Sequence, residues 1–349
     1  MGIYNEIEGW TRMKEAYLYE KLSNEKVRCH LCSHQCVVKE GARGICNVRE
    51  NRSGRFYSLV YGKIITRHCD PIEKKPLFHF LPGTLSYSIA TVGCNFRCSF
   101  CQNADISQMP TDMKQIMGED ISPDRIIDEA ISMGSATIAY TYTEPTIYFE
   151  FAKDTAQIAA LKGLRNVFVS NGYMTKQCLE EIHPDLHAAN VDLKAFTEKF
   201  YKEQCDAKLE PVLKTLEVMR EMGIWLEVTT LLINGLNDSP HELKDMADFL
   251  AGLGTDIPWH ISRFHPTYRL TNISPTTPDS IRRAKDIGYE SGLKYVYTGN
   301  LPGDDGEKTF CHSCGKLLID RFGFTIRSNR IEDKVCPYCG TEIPGVWGG

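Results

Sequence analysis

The 349-residue sequence has no long hydrophobic run and no large excess of one charge. No apolar stretch approaches the roughly 20 residues that a membrane-spanning helix needs. The first ten residues are polar and acidic, so we expect no signal peptide. With 40 basic and 45 acidic residues the net charge is −5, which offers no strongly basic surface for nucleic acid. We therefore expect a cytoplasmic protein that binds neither membrane nor nucleic acid.

The glycine signatures of dinucleotide-binding and P-loop folds are also missing. Strands and helices nevertheless alternate from Leu85 to Asn300, which implies parallel strands joined by right-handed crossovers. The predicted fold class is α/β, a partial (β/α)6-type TIM barrel whose polar strand ends form the rim that carries active sites. An open, doubly wound sheet is the alternative, and it lacks the support of a glycine signature.

Cysteine, in contrast, is abundant. Fourteen cysteines are too many for a typical cytosolic enzyme, and a disulfide framework is not expected in a reducing compartment. Their spacing predicts three metal sites. The sets are Cys29, Cys32, Cys36 and Cys46; Cys94, Cys98 and Cys101; and Cys311, Cys314, Cys336 and Cys339, while Cys69, Cys178 and Cys205 stand alone.

The most specific motif lies between Ser86 and Asn103. A β-branched apolar strand ends at Gly93, and Cys94, Cys98 and Cys101 follow in the pattern C-x3-C-x-aromatic-C. Three thiolates cannot complete a tetrahedral zinc site without a fourth ligand. They can hold three irons of a [4Fe–4S] cluster and leave the fourth iron open for chemistry. A packing or zinc loop that happens to contain three cysteines is the alternative.

This loop at the end of a first barrel strand resembles the radical S-adenosylmethionine (SAM) superfamily. The resemblance implies an oxidoreductase-type enzyme whose open iron binds the amino and carboxylate groups of SAM. It also implies an external one-electron reductant of the flavodoxin or ferredoxin type. Reductive cleavage of SAM would give a 5′-deoxyadenosyl radical that abstracts hydrogen from a substrate.

Within the superfamily, the order of parts is similar to the glycyl-radical-enzyme activases typified by pyruvate formate-lyase activating enzyme. The likeness extends to the radical SAM enzymes of the AmmeMemoRadiSam system, found beside relatives of Memo and AMMECR-type proteins, which would be partners. It covers the chain from about Cys29 to Asn300. It rests on the first cysteine set, on Asp70 to Leu77, on the three-cysteine loop and on Tyr140 to Thr146.

The resemblance implies cofactor-binding residues that all follow strands of the barrel. Glu144 would bind the amino end of SAM, Lys194 its carboxylate, and His265 would lie near the nucleoside. The activases have Gly-Gly before this glutamate, and the two glycines are replaced here. In the activases, two aspartates contribute to a monovalent-cation site. Asp192 matches one of them, but Val169 replaces the other, so this cation is not predicted. Taken alone, each residue has a structural explanation such as a turn or a rim salt bridge, and no catalytic residue is assigned. The implied set is Tyr142, Thr143, Glu144, Ser170, Asn171, Asp192, Lys194 and His265.

Two appended modules carry the other cysteines. An amphipathic helix is predicted from about Tyr4 to Lys26, ahead of a C-x2-C-x3-C-x9-C quartet that suits zinc or a second iron–sulfur cluster. His30 or His34 could replace one sulfur. The two C-terminal knuckles, 21 residues apart, predict a zinc-ribbon or rubredoxin-like module that holds zinc or iron. The predicted domains are therefore 1–84, 85–300 and 301–349, with a hydrophilic linker over 302–306.

Three functions remain open at this point. An activase-like modification of a protein or peptide follows from the family likeness. Radical chemistry on a small-molecule metabolite is the alternative within the same family. A non-catalytic zinc or iron–sulfur adaptor is the alternative from another class, and it predicts no SAM binding.

Overall fold

The computed structural model describes residues 13–299, 301 and 305–348. They fall into two compact units. The first contains the residues up to 70 together with 85–97 and 103–187, and the second contains 71–84, 98–102 and the residues from 188 onward. Within the described ranges, no helix is both long and apolar enough to cross a bilayer.

The core of the first unit is a parallel sheet. Leu85–Ala90 pairs with Thr137–Tyr140, which pairs in turn with Arg165–Ser170, so that Thr137 lies between Ser86 and Arg165. Nearly all of their side chains are buried, as expected for parallel strands covered on both faces. Thr66–Pro71 lies beside the first of these strands. The helical segments are Ala104–Ser107, Met109–Asp112, Pro123–Ser132, the 3-10 turn Pro145–Tyr148, Phe149–Leu161 and Lys176–Ile182.

The N-terminal part of this unit consists of short antiparallel strands. The helix predicted over Tyr4 to Lys26 is wrong where the structure describes it, and residues 1–12 lie outside the described residues. Ala16 and Leu18 are buried and Tyr17 is exposed, an alternation typical of extended chain rather than helix. The strands are Lys14–Glu15, Arg55–Ser58 and Arg49–Arg52 in one sheet, Tyr19–Lys21, Val27–Cys29 and Val37–Val38 in a second, and Lys63–Ile64 with Glu119–Asp120 in a third.

The second unit repeats the parallel arrangement. Its strands Ala188–Asp192, Trp225–Leu232, Trp259–Arg263 and Val296–Gly299 are hydrogen-bonded in this order. Each is followed by helical chain as far as the last strand, which confirms the predicted α/β fold with a parallel-sheet core. The helical segments are the 3-10 turn Ile72–Lys74, Glu198–Phe200, the π-helical turn Tyr201–Cys205, Glu210–Glu221, Pro240–Leu253 and Pro278–Glu290.

Helix starts follow the sequence signals. Ser122 accepts a hydrogen bond from the backbone N–H of Arg125, which confirms the predicted cap before Pro123. The capping box predicted at Ser239 forms only in part. Ser239 accepts from the N–H of Glu242, but the Glu242 carboxylate accepts the N–H of Phe196 at 2.7 Å instead of returning to the cap.

The C-terminal strands Thr309–Phe310, Leu317–Phe322 and Thr325–Asn329 form an antiparallel sheet in the second unit. Their apolar side chains do not form a separate core. Phe78, Tyr295 and Tyr297 pack in one buried cluster with Leu318 and Ile319. The cysteine-rich C-terminal segment is therefore anchored to the last parallel strand, while the domain boundaries at 84 and 300 stay predictions.

Candidate active site

The strand end before Cys94 requires a glycine. Gly93 has φ +105°, and a Cβ there would lie 2.7 Å from Cγ1 of Val48. The Cys94 sulfur accepts the backbone N–H of Phe96 at 3.3 Å and lies 3.8 Å from the side-chain nitrogen of Asn171. The sulfur also lies 3.9 Å from the side-chain oxygen of Asn95.

Glu144 is the centre of a buried hydrogen-bond network in the first unit. Its Oε1 accepts the backbone N–H of Thr146 at 3.1 Å, the Thr146 hydroxyl and the Ser170 hydroxyl at 2.8 Å. Its Oε2 accepts the backbone N–H of Asn171 at 2.8 Å. Burial raises the pKa of Glu144, against the opposing effect of these donors. The carboxylate thus ties two strand ends together and leaves acceptor capacity mainly on Oε2.

Tyr142 holds the turn before Glu144 in a left-handed conformation, with φ +62°. Its hydroxyl donates to Asp70 at 2.6 Å, and its carbonyl accepts the Asn103 side chain at 2.8 Å. The next residue, Thr143, donates its hydroxyl to the carbonyl of Thr91 at 2.8 Å. The turn is therefore hydrogen-bonded to residues before and after Cys94, to Thr91 on one side and to Asn103 on the other.

In the second unit, Lys194 is a largely buried cation, with its side chain 13% exposed. Its ammonium lies 2.9 Å from the Asp192 carboxylate and 5.8 Å from the centre of the Phe100 ring. Burial works against the charged form, but Asp192 and the nearby Cys98 thiol raise the pKa of Lys194 well above its usual value. The predicted Asp192–Lys194 pair is thus present.

Cys98 is buried beside a cysteine that the sequence did not connect with it. A hydrogen bond with Cys205 lowers the pKa of Cys98, and burial opposes this effect. The neighbouring Ser99 donates to the Gln204 side chain at 2.6 Å and to the Gln204 carbonyl at 2.8 Å. Gln204 and Cys205 belong to the π-helical turn Tyr201–Cys205, a distortion frequent at functional sites that spacing alone did not reveal.

The predicted site residues are thus distributed over the two units. Tyr142, Thr143, Glu144, Ser170 and Asn171 lie with Cys94 in the first unit. The second unit contains Asp192 and Lys194 with Cys98 and the half-buried Cys101, and it contains His265, which is exposed after the strand Trp259–Arg263. Their roles as cluster ligands and SAM contacts stay predictions.

The N-terminal quartet lines one cavity of the first unit. The cavity has a volume of about 340 Å³, part of it open to solvent, and Arg49 and Asn95 contribute to its wall. Burial raises the pKa of the Cys46 thiol to about 12. The four cysteines on the cavity wall are Cys29, Cys32, Cys36 and Cys46.

The four sulfurs of the C-terminal quartet lie close enough together for one metal ion. All four sulfurs lie within 4.8 Å of one another. Cys311 and Cys339 are 3.7 Å apart, as are Cys314 and Cys336. A zinc–sulfur bond of about 2.3 Å places tetrahedral sulfurs roughly 3.8 Å apart, so the spacing suits a single metal ion.

Comparisons with known proteins indicate the family of the central part of the chain. The family model described as the Radical SAM superfamily matches residues 88–250. An uncharacterized protein of Methanocaldococcus jannaschii is 46% identical over 334 residues, which cover 95% of this chain and 99% of that protein. A second protein of that organism, provisionally named a glycyl-radical enzyme activating enzyme, is 25% identical and covers 60% of this chain and 77% of its own length.

The fold is shared with a solved structure of Streptococcus suis SuiB bound to S-adenosylmethionine. The TM-score is 0.51 at 14% identity, with 69% of this chain and 56% of that chain covered. The predicted likeness to the glycyl-radical activating enzymes is supported by the second Methanocaldococcus jannaschii protein. Members of the matching superfamily are enzymes that use SAM and a [4Fe–4S] cluster, and activating-enzyme relatives need an external reductant. Residues 88–250 of this chain belong to the radical SAM superfamily.

Proposed function

We propose that this enzyme cleaves SAM reductively at a [4Fe–4S] cluster held by Cys94, Cys98 and Cys101, and then abstracts hydrogen from a protein or peptide. The observation that carries the proposal is the three-cysteine loop, which follows the strand Leu85–Ala90 inside the segment that matches the superfamily.

The donor set fits the cluster. Thiolates are the usual ligands of iron–sulfur clusters, and three of them leave one iron free for SAM. The Cys94 sulfur already accepts an N–H hydrogen bond, as cluster ligands commonly do. When bound, the cluster supplies one electron to SAM, whose cleavage yields the 5′-deoxyadenosyl radical.

The chain's own residues would bind and orient SAM. Lys194 is a largely buried cation suited to the SAM carboxylate by a charge-assisted hydrogen bond. Glu144 acts chiefly as a positioning residue, because four donors of the chain occupy its carboxylate. It holds Asn171 and Ser170 at the strand end and keeps only part of Oε2 for the SAM amino group.

The protein or peptide substrate is supported by the activating-enzyme relative and by the sequence likeness to the AmmeMemoRadiSam enzymes. The same likeness makes Memo- and AMMECR-type proteins the proposed partners, a flavodoxin- or ferredoxin-type protein the proposed reductant, and the cytoplasm the proposed location. The non-catalytic adaptor is set aside, because residues 88–250 belong to a superfamily of enzymes. Zinc is the proposed ion of the C-terminal quartet, on the 3.7 Å sulfur spacings.

The first test is SAM cleavage by the anaerobically reconstituted and reduced enzyme. We expect 5′-deoxyadenosine from the parent protein and none above background from Cys98→Ala. Cys69→Ala is the matched control, because Cys69 belongs to no cysteine set and lies 3.4 Å from the Ser135 hydroxyl. Cleavage by Cys98→Ala with an unchanged iron content would contradict the assignment.

The second test identifies the substrate class. The reduced enzyme and SAM are incubated with the macromolecular and the small-molecule fractions of a fully deuterated cell lysate, and deuterium in 5′-deoxyadenosine is measured by mass spectrometry. Label from the macromolecular fraction supports the protein or peptide substrate. Label only from the small-molecule fraction replaces it with a metabolite.

A further inference from the structure

We propose that Cys29, Cys32, Cys36 and Cys46 hold a second [4Fe–4S] cluster, with Arg49 and Asn95 as hydrogen-bond donors to it. This site lies wholly in the first unit. Its four thiolates would ligate every iron, so it offers no open position for SAM. The proposal does not depend on the three-cysteine loop.

The spacing of the sulfurs distinguishes this quartet from the C-terminal one. Among the residues that the structure describes, the group of cysteine sulfurs lying within 4.8 Å of one another is the C-terminal set. No three of the N-terminal sulfurs are that close, although all four cysteines line one cavity. A zinc ion would require sulfurs roughly 3.8 Å apart. A cubane cluster places four irons between its thiolates and spreads them more widely.

Arg49 gives the first sign that the cavity receives a ligand with acceptor atoms. Its two terminal nitrogens bind the Glu150 carboxylate at 2.8 and 2.6 Å, and one also reaches the carbonyl of Ile147 at 3.3 Å. The N–H on Nε is buried and has no hydrogen-bond partner among the described residues. A buried donor without a partner is unfavourable, so a cluster sulfur is the acceptor it lacks.

Asn95 gives the second sign, independently of the first. Its side-chain oxygen accepts from Asn171 at 2.7 Å, and its backbone carbonyl is bound by His34 at 2.8 Å. Its amide nitrogen is buried and finds no acceptor in the described part of the chain. Both unpaired donors therefore belong to residues of the cavity wall.

These donors match an iron–sulfur cluster in chemistry as well as in position. Iron–sulfur clusters carry negative charge and accept N–H hydrogen bonds at their sulfurs, and such bonds raise the reduction potential. Arg49 is kept charged because Glu150 pairs with it. His34 is not required as a ligand, because the four cysteines supply one thiolate for each iron of the cluster.

Metal content tests the proposal directly. The full-length variant with Cys94, Cys98 and Cys101 changed to serine is reconstituted anaerobically with iron and sulfide. We expect about four irons and four sulfides per chain, with a cluster signal in electron paramagnetic resonance after reduction. Zinc in place of iron at this site, about two zinc ions per chain in total, would overturn the proposal.

The unaltered enzyme provides the same test if that variant does not fold. About eight irons and one zinc support two clusters, whereas about four irons and two zincs oppose the second. Failure of the proposed function gives a different result. If the triple-serine variant keeps four irons while the unaltered enzyme never cleaves SAM, the radical reaction is refuted and the second cluster is not.

The donor role of Arg49 is tested in the triple-serine background. Arg49→Gln is combined with Glu150→Gln, so that no buried charge is left unpaired. We expect a lower reduction potential of the remaining cluster at an unchanged iron content. The matched control changes Arg52 and Glu50, an ion pair of the same strand whose arginine is exposed, to glutamine. Equal potentials in the Arg49 variant and its control would overturn the assignment.

Discussion

Replacing Glu144 by glutamine should lower both the stability of the first unit and its affinity for SAM. The carboxylate accepts four hydrogen bonds, three on Oε1 and one on Oε2. A glutamine of the same shape keeps one oxygen and presents an amide N–H₂ in place of the other. Whichever way it turns, this group faces a backbone N–H, either that of Thr146 or that of Asn171.

The magnitude follows from that geometry. A hydrogen bond to a charged group contributes about 1.5–3 kcal/mol, and a buried N–H without an acceptor costs about 1–3 kcal/mol. Loss of the buried charge offsets part of this cost, since burial disfavours the ionised form. We expect the free energy of unfolding to fall by about 2 kcal/mol. A displaced Asn171 should weaken SAM binding by about tenfold, which corresponds to about 1.4 kcal/mol.

Urea unfolding of the metal-free chain measures the first quantity, and equilibrium dialysis of SAM with the reconstituted enzyme measures the second. Glu242→Gln is the control, because that carboxylate accepts the backbone N–H of Phe196 in the second unit. It should leave SAM affinity unchanged. If Glu144→Gln unfolds at the same urea concentration as the parent and binds SAM equally well, the carboxylate does not hold the strand ends as argued.

Three further predictions concern other parts of the chain. Burial lowers the pKa of His79 from 6.5 to about 4. The neutral ring therefore contributes fully to stability above pH 6.5, and the free energy of unfolding declines by about 3 kcal/mol as the pH falls toward 4. Urea unfolding across this range should show the decline, and His79→Gln should remove it. Cys311→Ser should lose about one zinc per chain by elemental analysis while SAM cleavage continues, and a zinc content equal to the parent's would refute the assignment. Gly93→Ala should cost about 3 kcal/mol, because its Cβ meets Val48 at 2.7 Å; Gly41→Ala, with open space around it, should cost only about 1 kcal/mol of backbone strain, and equal unfolding midpoints would contradict the steric argument.

Much of the fold could be predicted from the sequence because its signals are local. The apolar strand before Gly93, the cap at Ser122 and the alternation of strands and helices depend on neighbouring residues, and the structure confirms them. The helix predicted near the N-terminus is wrong in the described residues, because its apolar residues are too irregularly spaced to define a helical face. The burial of Ala16 and Leu18 instead alternates as in extended chain.

The parts that escaped prediction depend on contacts between distant segments. Cys205 is more than a hundred positions from Cys98, and no spacing rule connects a lone cysteine with a C-x3-C-x2-C loop. The same holds for Arg49 and Glu150, which pair in the interior although 101 positions separate them in the sequence. Sequence patterns indicate which residues could bind a metal, but buried partners of this kind decide the charge around it.

Tyr142 shows how a residue with a side chain can hold a backbone conformation that glycine adopts freely. Glycine would adopt its left-handed φ of +62° freely, whereas a residue with a Cβ pays roughly 1–2 kcal/mol for it. The hydroxyl of Tyr142 recovers a comparable amount, about 1.5–3 kcal/mol, by donating to the Asp70 carboxylate at 2.6 Å. Asn103 fixes the carbonyl at the same turn. The left-handed backbone at this turn therefore does not require a glycine, because the hydrogen bonds of Tyr142 offset its conformational cost.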